Sequence, residues 1–275
     1  MSEQGKKPLR VIMIGAHPDD SEYYAGGTAA LWAARGVEVQ LVSLTNGDAG
    51  HHQKGGGALA GKRIEEAARS AEILGASSLV MDFHDGELEP ALEVRKAVIR
   101  AIRNWQADIV ISHRPYDYHP DHRYTSQVVQ DAAFLVRVPN ICPDVAPLEW
   151  NPVFLFFADS FRKPVPFQPD VIVDVGPVMD KKIRSFDAME CQVYEWLPWL
   201  DGILDSVPAT KSEQLEWLWE QYAEHFERSA AQYTDLLAAR YGAEHGAGVK
   251  YAEGFELCEY GSQPSREELW ELFPK

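Results

Sequence analysis

The chain reads as an α/β protein: a doubly wound, mainly parallel sheet with helices on both faces and a helical C-terminal extension. Three observations point there. Short apolar runs rich in β-branched residues recur at residues 11–14, 37–44, 78–83 and 108–112. Stretches of helical period separate them. The connections are short, as repeated strand–helix–strand units require. The arrangement is Rossmann-like, and right-handed crossovers then bring all the strand C-termini to one edge, where open α/β sheets bind ligands.

The first run, 11–14, suits a central parallel strand covered on both faces. It is followed by Gly15-Ala-His-Pro-Asp-Asp-Ser-Glu22. Gly15 and Ala16 keep the strand end slim, and Pro18 stops the strand and turns the chain. An imidazole, His17, and two carboxylates, Asp19 and Asp20, are therefore presented at the strand's carboxyl end. Because the two aspartates are adjacent, they point different ways: one can bind a metal while the other faces a substrate. The plainer reading is a strand-to-helix turn with Asp as N-cap.

Residues 28–35 read as a short helix closed by Gly36, and 37–44 as the second strand. Residues 45–57 form a Gly- and His-rich loop in which His51 and His52 read as solvated rather than as site contacts. A helix over 59–74 closes at Gly75. Strand three covers 78–83 and leads into His84-Asp85. An amphipathic helix covers 89–105. Strand four, 108–112, ends in a loop that holds His113, Arg114, His119, Asp121 and His122, with a helix from 124 to 136.

His119 and His122 are three apart and share one side of a turn. A catalytic zinc site needs three protein ligands and an open position. His17, Asp20 and His122 supply such a set from two strand ends. Arg114 is a candidate contact for an anionic or polar group. Asp121 orients a ligating histidine or caps the next helix, and Glu22 does similar work for the first motif.

Beyond a Pro-rich break at 139–152, strands are expected at 153–157 and 171–175, with a proline-stiffened loop between them (161–167) that reads as surface packing rather than a lid. Helical stretches follow at 179–196 and 213–240. Trp196, Trp199, Trp217 and Trp219 read as core packing rather than a sugar platform. The tail from Gly242 carries no legible element. The whole fits one domain, with an α/β core over about 9–178 and a helical extension and tail over 179–275.

The pair of motifs, Ala16-His-Pro-Asp-Asp-Ser-Glu22 and His119-Pro-Asp-His122, resembles the PIG-L/LmbE-like zinc-dependent de-N-acetylases. Gly26-Gly-Thr28, Thr45-Asn-Gly-Asp-Ala-Gly50 and Arg63-Ile-Glu-Glu66 extend the likeness, which covers about 10–136. The resemblance implies removal of an N-acetyl or related N-acyl group from an amino sugar or its conjugate. It implies His17, Asp20 and His122 as ligands of one Zn2+, Asp19 as general base, and His119 as stabiliser of the oxyanion or proton donor to the leaving amine. It places Arg63, Asp85 and Asp48 at substrate, and it implies a homo-oligomer. Ligand type does not separate zinc from iron or cobalt. Two other readings stand beside it: an amidase acting on a thiol–sugar conjugate or other small amide, and a non-catalytic metal-binding module. The first strand lacks G-x-G-x-x-G, so a nucleotide site is not expected.

Asp and Glu outnumber Lys and Arg by 42 to 26, a net charge of −16, which argues against nucleic acid or an anionic membrane as partner. Cys142, Cys191 and Cys258 are widely spaced, as in a reducing compartment. Residues 1–8 read as a frayed arm with no apolar signal region, and a cytoplasmic location is expected.

Overall fold

A computed structural model describes residues 7–275; most of the expected N-terminal arm lies outside the described residues. Seven strands form one sheet: β1 (Arg10–Gly15), β2 (Glu38–Thr45), β3 (Ser77–Phe83), β4 (Ile109–Ser112), β5 (Val153–Phe157), β6 (Val171–Asp174) and β7 (Ala252–Gly261). Their order is β3-β2-β1-β4-β5-β7-β6. β1 to β5 are parallel, with Val11 opposite Val39 on one side and Ile109 on the other. β1 is central because every second residue must face a different core. Val11 and Met13 pack with α1 (Asp20–Ala34), α2 (Gly56–Leu74) and α5 (Met179–Asp187). Ile12 and Ile14 pack on the opposite face with α3 (Leu92–Trp105) and α4 (Pro120–Leu135). The period of two thus feeds two cores at once.

Two helix starts differ from expectation, and both matter to the site. α1 begins at Asp20, not at 28, so the first motif is itself the helix entry. α4 begins at Pro120, not at 124, with His119 as N-cap and His122 in the first turn. Pro at the first helical position is the signal that fixes this start.

The C-terminal part departs further. The stretch 179–196 is not one helix: α5 ends at Asp187, a π-helical turn follows at Cys191–Trp196, and α6 (Leu197–Leu200) completes it. The stretch 213–240 divides at Tyr233 into α7 (Lys211–Gln232) and α8 (Thr234–Tyr241). The tail supplies α9 (Ala243–Gly248), α10 (Arg266–Leu272) and an interior strand, β7, antiparallel to both β5 and β6. Glu253, Gly254 and Glu256 break its apolar pattern, yet Glu253 is buried and Gly254 lies beneath the Phe167 ring.

No helix among the described residues is long and apolar enough to cross a membrane.

Candidate metal centre

The ends of β1 and β4 lie side by side, so the two motif segments meet. His17 Nδ1 is 3.2 Å from His122 Nε2. Asp20 lies 3.5 Å from His17 Nδ1 through Oδ2 and 3.3 Å from His122 Nε2 through Oδ1. Asp20 is aimed by its surroundings: Oδ2 accepts from the N–H groups of Ala16 at 2.9 Å and His17 at 2.7 Å. Gly15 is what allows this, since a Cβ there would come within 2.6 Å of Asp20 Cβ. The slim strand end accommodates the Asp20 carboxylate.

The donor set fits a divalent metal. Tetrahedral zinc with bonds near 2.0–2.1 Å requires donor atoms roughly 3.3 Å apart; the His17 Nδ1–His122 Nε2 separation matches that value, and Asp20 approaches the two imidazoles through different oxygens. The electrostatics agree. Burial works against charge on His17 and His122, but carboxylates outweigh it: Asp121 and Asp20 hold His17 well above the usual imidazole range, and Asp20 and Asp117 hold His122 at about 9. Burial would raise Asp20, yet His122 and His113 hold it well below the carboxylate range. The cluster seeks positive charge, and a metal cation meets that demand by displacing protons.

Each histidine has an outer partner. His17 Nε2 lies 3.1 Å from Asp85 Oδ1 and 3.3 Å from Asp121 Oδ2. Asp121 is itself tied down by the Gly86 N–H at 2.7 Å. His122 Nδ1 is 3.1 Å from Asp117 Oδ2. Beneath the cluster, His113 stacks on His122 with centroids 4.0 Å apart and reaches Asp20 Oδ2 at 3.1 Å. Burial first, then the charge of His122, lowers the His113 pKa to about 4, so it stays neutral. Asp117 and His113 had no role in the sequence reading; their signal is position, one directly after β4 and the other two residues before His119.

Asp19 stands beside His17, Asp20 and His122 without joining their contacts. Its carboxylate lies 3.4 Å from Arg63 Nη2, which donates to the Pro18 carbonyl at 2.8 Å. Arg63 also reaches Gln192, so its guanidinium is buried and fixed. Burial raises the Asp19 pKa; Arg63 opposes this and Asp20 adds to it. His119 packs edge-on to His17, centroids 4.6 Å apart. Its Nδ1 accepts from the Asp121 N–H at 3.2 Å, which leaves Nε2 as the protonated nitrogen.

Other sequence candidates are placed differently. Arg114 sends its nitrogens to Asp159 at 3.1 Å, the Val165 carbonyl at 2.9 Å and Glu256 at 3.5 Å, so its guanidinium anchors the loop after β5. Asp48 accepts from the Asp85 N–H at 3.0 Å and sits 2.7 Å from His84 Nδ1, joining the loops after β2 and β3. Glu22 is buried without a hydrogen bond to a ligand among the described residues, and burial raises its pKa to about 8. His51 is no solvated loop residue: it is buried and pairs with Glu195 at 2.8 Å. Trp217 and Trp219 pack on the core, whereas Trp196 and Trp199 stack on each other, with Trp199 47% exposed.

A family model described as PIG-L, GlcNAc-PI de-N-acetylase, matches residues 12–133, the span that holds both motifs. A diacetylchitobiose deacetylase of Thermococcus kodakarensis is 32% identical over 210 residues, covering 70% of this chain and 76% of that protein. A 4-oxalmesaconate hydratase of Pseudomonas putida is 29% identical over 195 residues, covering 67% and 74%. The solved structure of N,N'-diacetylchitobiose deacetylase from Pyrococcus horikoshii, bound to an inhibitor, superposes with a TM-score of 0.69 at 25% identity, covering 90% of this chain and 83% of that one. The chain therefore belongs to the PIG-L family.

Proposed function

We propose that this chain is a metal-dependent de-N-acetylase, a hydrolase that removes the N-acetyl group from an amino sugar or amino-sugar conjugate. The observation that carries the reading is the pairing of an open three-donor cluster with a carboxylate, Asp19, that lies beside it and is held by Arg63 rather than spent as a ligand. His17, Asp20 and His122 would hold the ion, zinc being the first candidate. When bound it supplies Lewis acidity for the amide carbonyl and the attacking water. Asp19 takes the proton of that water and returns it to the amine. The His119 Nε2–H donates to the oxygen that becomes an oxyanion. Asp85 and Asp121 keep His17 oriented from behind.

The distribution of charge separates this reading from water addition to a polycarboxylate, the kind of substrate implied by the name of the Pseudomonas putida relative. Such a substrate needs free cations at the site. Here Arg63 and Arg114 are already paired with Asp19 and Asp159, and Arg123 donates to the Asp117 and Tyr118 carbonyls. A neutral, hydroxyl-rich substrate needs no such counter-charge.

The test is metal content of the purified chain by elemental mass spectrometry, followed by amine release from N-acetylated sugars. About one metal ion per chain with metal-dependent amine release is expected. A chain that binds no divalent ion, or a loaded chain inert on every N-acetyl sugar, refutes the reading.

A further inference from the structure

We propose that Gln192, which no motif marks, is a positioning residue for Asp19: it fixes the Arg63 guanidinium, and the guanidinium fixes the carboxylate beside the metal cluster. This rests on the de-N-acetylase reading and deepens it. Arg63 is buried, and its nitrogens are divided among three neighbours. Nη1 donates to Gln192 Oε1, while Nη2 donates to the Pro18 carbonyl at 2.8 Å and lies 3.4 Å from Asp19 Oδ2. Nε faces Gly47, where a Cβ would come within 3.0 Å of it. A planar fork held at both ends cannot turn. Without Gln192 it pivots on the Pro18 carbonyl, and the contact to Asp19 is lost first because it is the longest and weakest of the set.

The π-helical turn at Cys191–Trp196 delivers Gln192. Such turns are frequent at functional sites. Here the wide turn sets Cys191, Gln192 and Glu195 against Glu66, Arg63 and Lys62 on one side of α2. Glu66 locks the register: it is buried, and it accepts from the Cys191 N–H at 3.0 Å and the Cys191 thiol at 2.7 Å. The charges are sorted as well. Glu66 and Glu195 lie 3.5 and 3.4 Å from Lys62, so both carboxylates have a cation other than Arg63. Gln192 is neutral, so its amide orients Arg63 without competing with Asp19 for the positive charge. The helical extension thereby reaches back to the first motif through one amide.

The experiment measures kcat, KM and metal content for the metal-loaded full chain, for Gln192→Met, for Asp19→Asn and for the double variant, with amine release from N-acetylglucosamine and N,N'-diacetylchitobiose as the assay. Gln192→Met keeps the volume and removes the acceptor; Gln192→Asn, one methylene too short to reach Nη1, replaces it if that variant does not fold. The proposal expects kcat to fall about tenfold with KM and metal content unchanged. In the Asp19→Asn background the same change should cost nothing further, because the group being positioned is already gone. An equal loss in both backgrounds, or a loss that follows KM or metal content, overturns it. If the loaded wild type releases amine from no N-acetyl sugar, the de-N-acetylase reading fails by itself. Gln192 is then judged by urea unfolding of the same four proteins. A coupling of about fivefold in the unfolding equilibrium constant, between two side chains joined only through Arg63, supports the proposal, and additivity overturns it.

Discussion

His17 is backed by two carboxylates rather than one, and this makes a quantitative prediction. Its single Nε2–H faces Asp85 Oδ1 at 3.1 Å and Asp121 Oδ2 at 3.3 Å, and the two residues sit on different elements, after β3 and in the first turn of α4. Loss of an outer partner of a ligating histidine commonly costs 10–100-fold in metal affinity. Here, removing either carboxylate leaves the other within reach of the same proton. Asp85→Ala and Asp121→Ala should each weaken metal binding only about threefold, because the surviving partner keeps the ring orientation. The double variant should weaken it about a hundredfold, tenfold beyond the product of the singles, a coupling of about 1.4 kcal/mol. The assay is competition with a chromogenic chelator on folded protein. Thermal midpoints run beside it, because Asp121→Ala also strands the Gly86 N–H. If the double variant falls on the product of the singles, the two carboxylates act independently and the shared-proton argument is wrong.

Three further outcomes are expected. Asp19→Asn should bind metal normally and lose about 10²- to 10⁴-fold in kcat, as measured by metal content and amine release; wild-type turnover would remove Asp19 from the chemistry. The buried pair Lys182–Glu253 should be asymmetric. Glu253 also accepts from the Gly27 and Thr28 N–H groups and the Thr28 hydroxyl, whereas Lys182 keeps the Tyr23 carbonyl and the Phe226 ring. Glu253→Ala should therefore cost more than Lys182→Ala in urea unfolding, both within about 3–5 kcal/mol; the reverse order contradicts the account. Finally, burial, reinforced by Glu66 and opposed by Arg63, pushes the Cys191 thiol up to about 12. Native protein at pH 8 should leave Cys191 unalkylated, read by mass spectrometry; labelling within minutes would show that the thiol is open.

What could be read from the chain alone was whatever a local pattern records. β1 and β4 were legible because a strand buried on both faces is a nearly continuous apolar run, β2 because it alternates before turning apolar, and His17, Asp20 and His122 because each motif is contiguous. Asp117 and His113 were missed because their partners, His122 and Asp20, are met only after folding. Arg114 looked available because nothing nearby in sequence announces Asp159 or the Val165 carbonyl. The break at Tyr233 lacks Pro or Gly, so no residue marks it. β7 was illegible for a different reason: its polar positions are satisfied from elsewhere, Glu253 by α1 and Lys182, Glu256 by the Gln168 N–H.

The position of β7 also governs the order of assembly. β6 cannot join the sheet by pairing with β5, because the strand between them is made some eighty residues later. Until it arrives, two strand edges stay open and the carboxylate that receives the interior N–H groups of α1 is missing. Pairings of such long sequence separation close late and slowly. Both motif segments can therefore emerge and collapse early, while the helix that begins at Asp20 gains its last anchor only when the tail inserts. The helix that carries Asp20 is thus held at Gly27 and Thr28 by a carboxylate from the last strand of the chain.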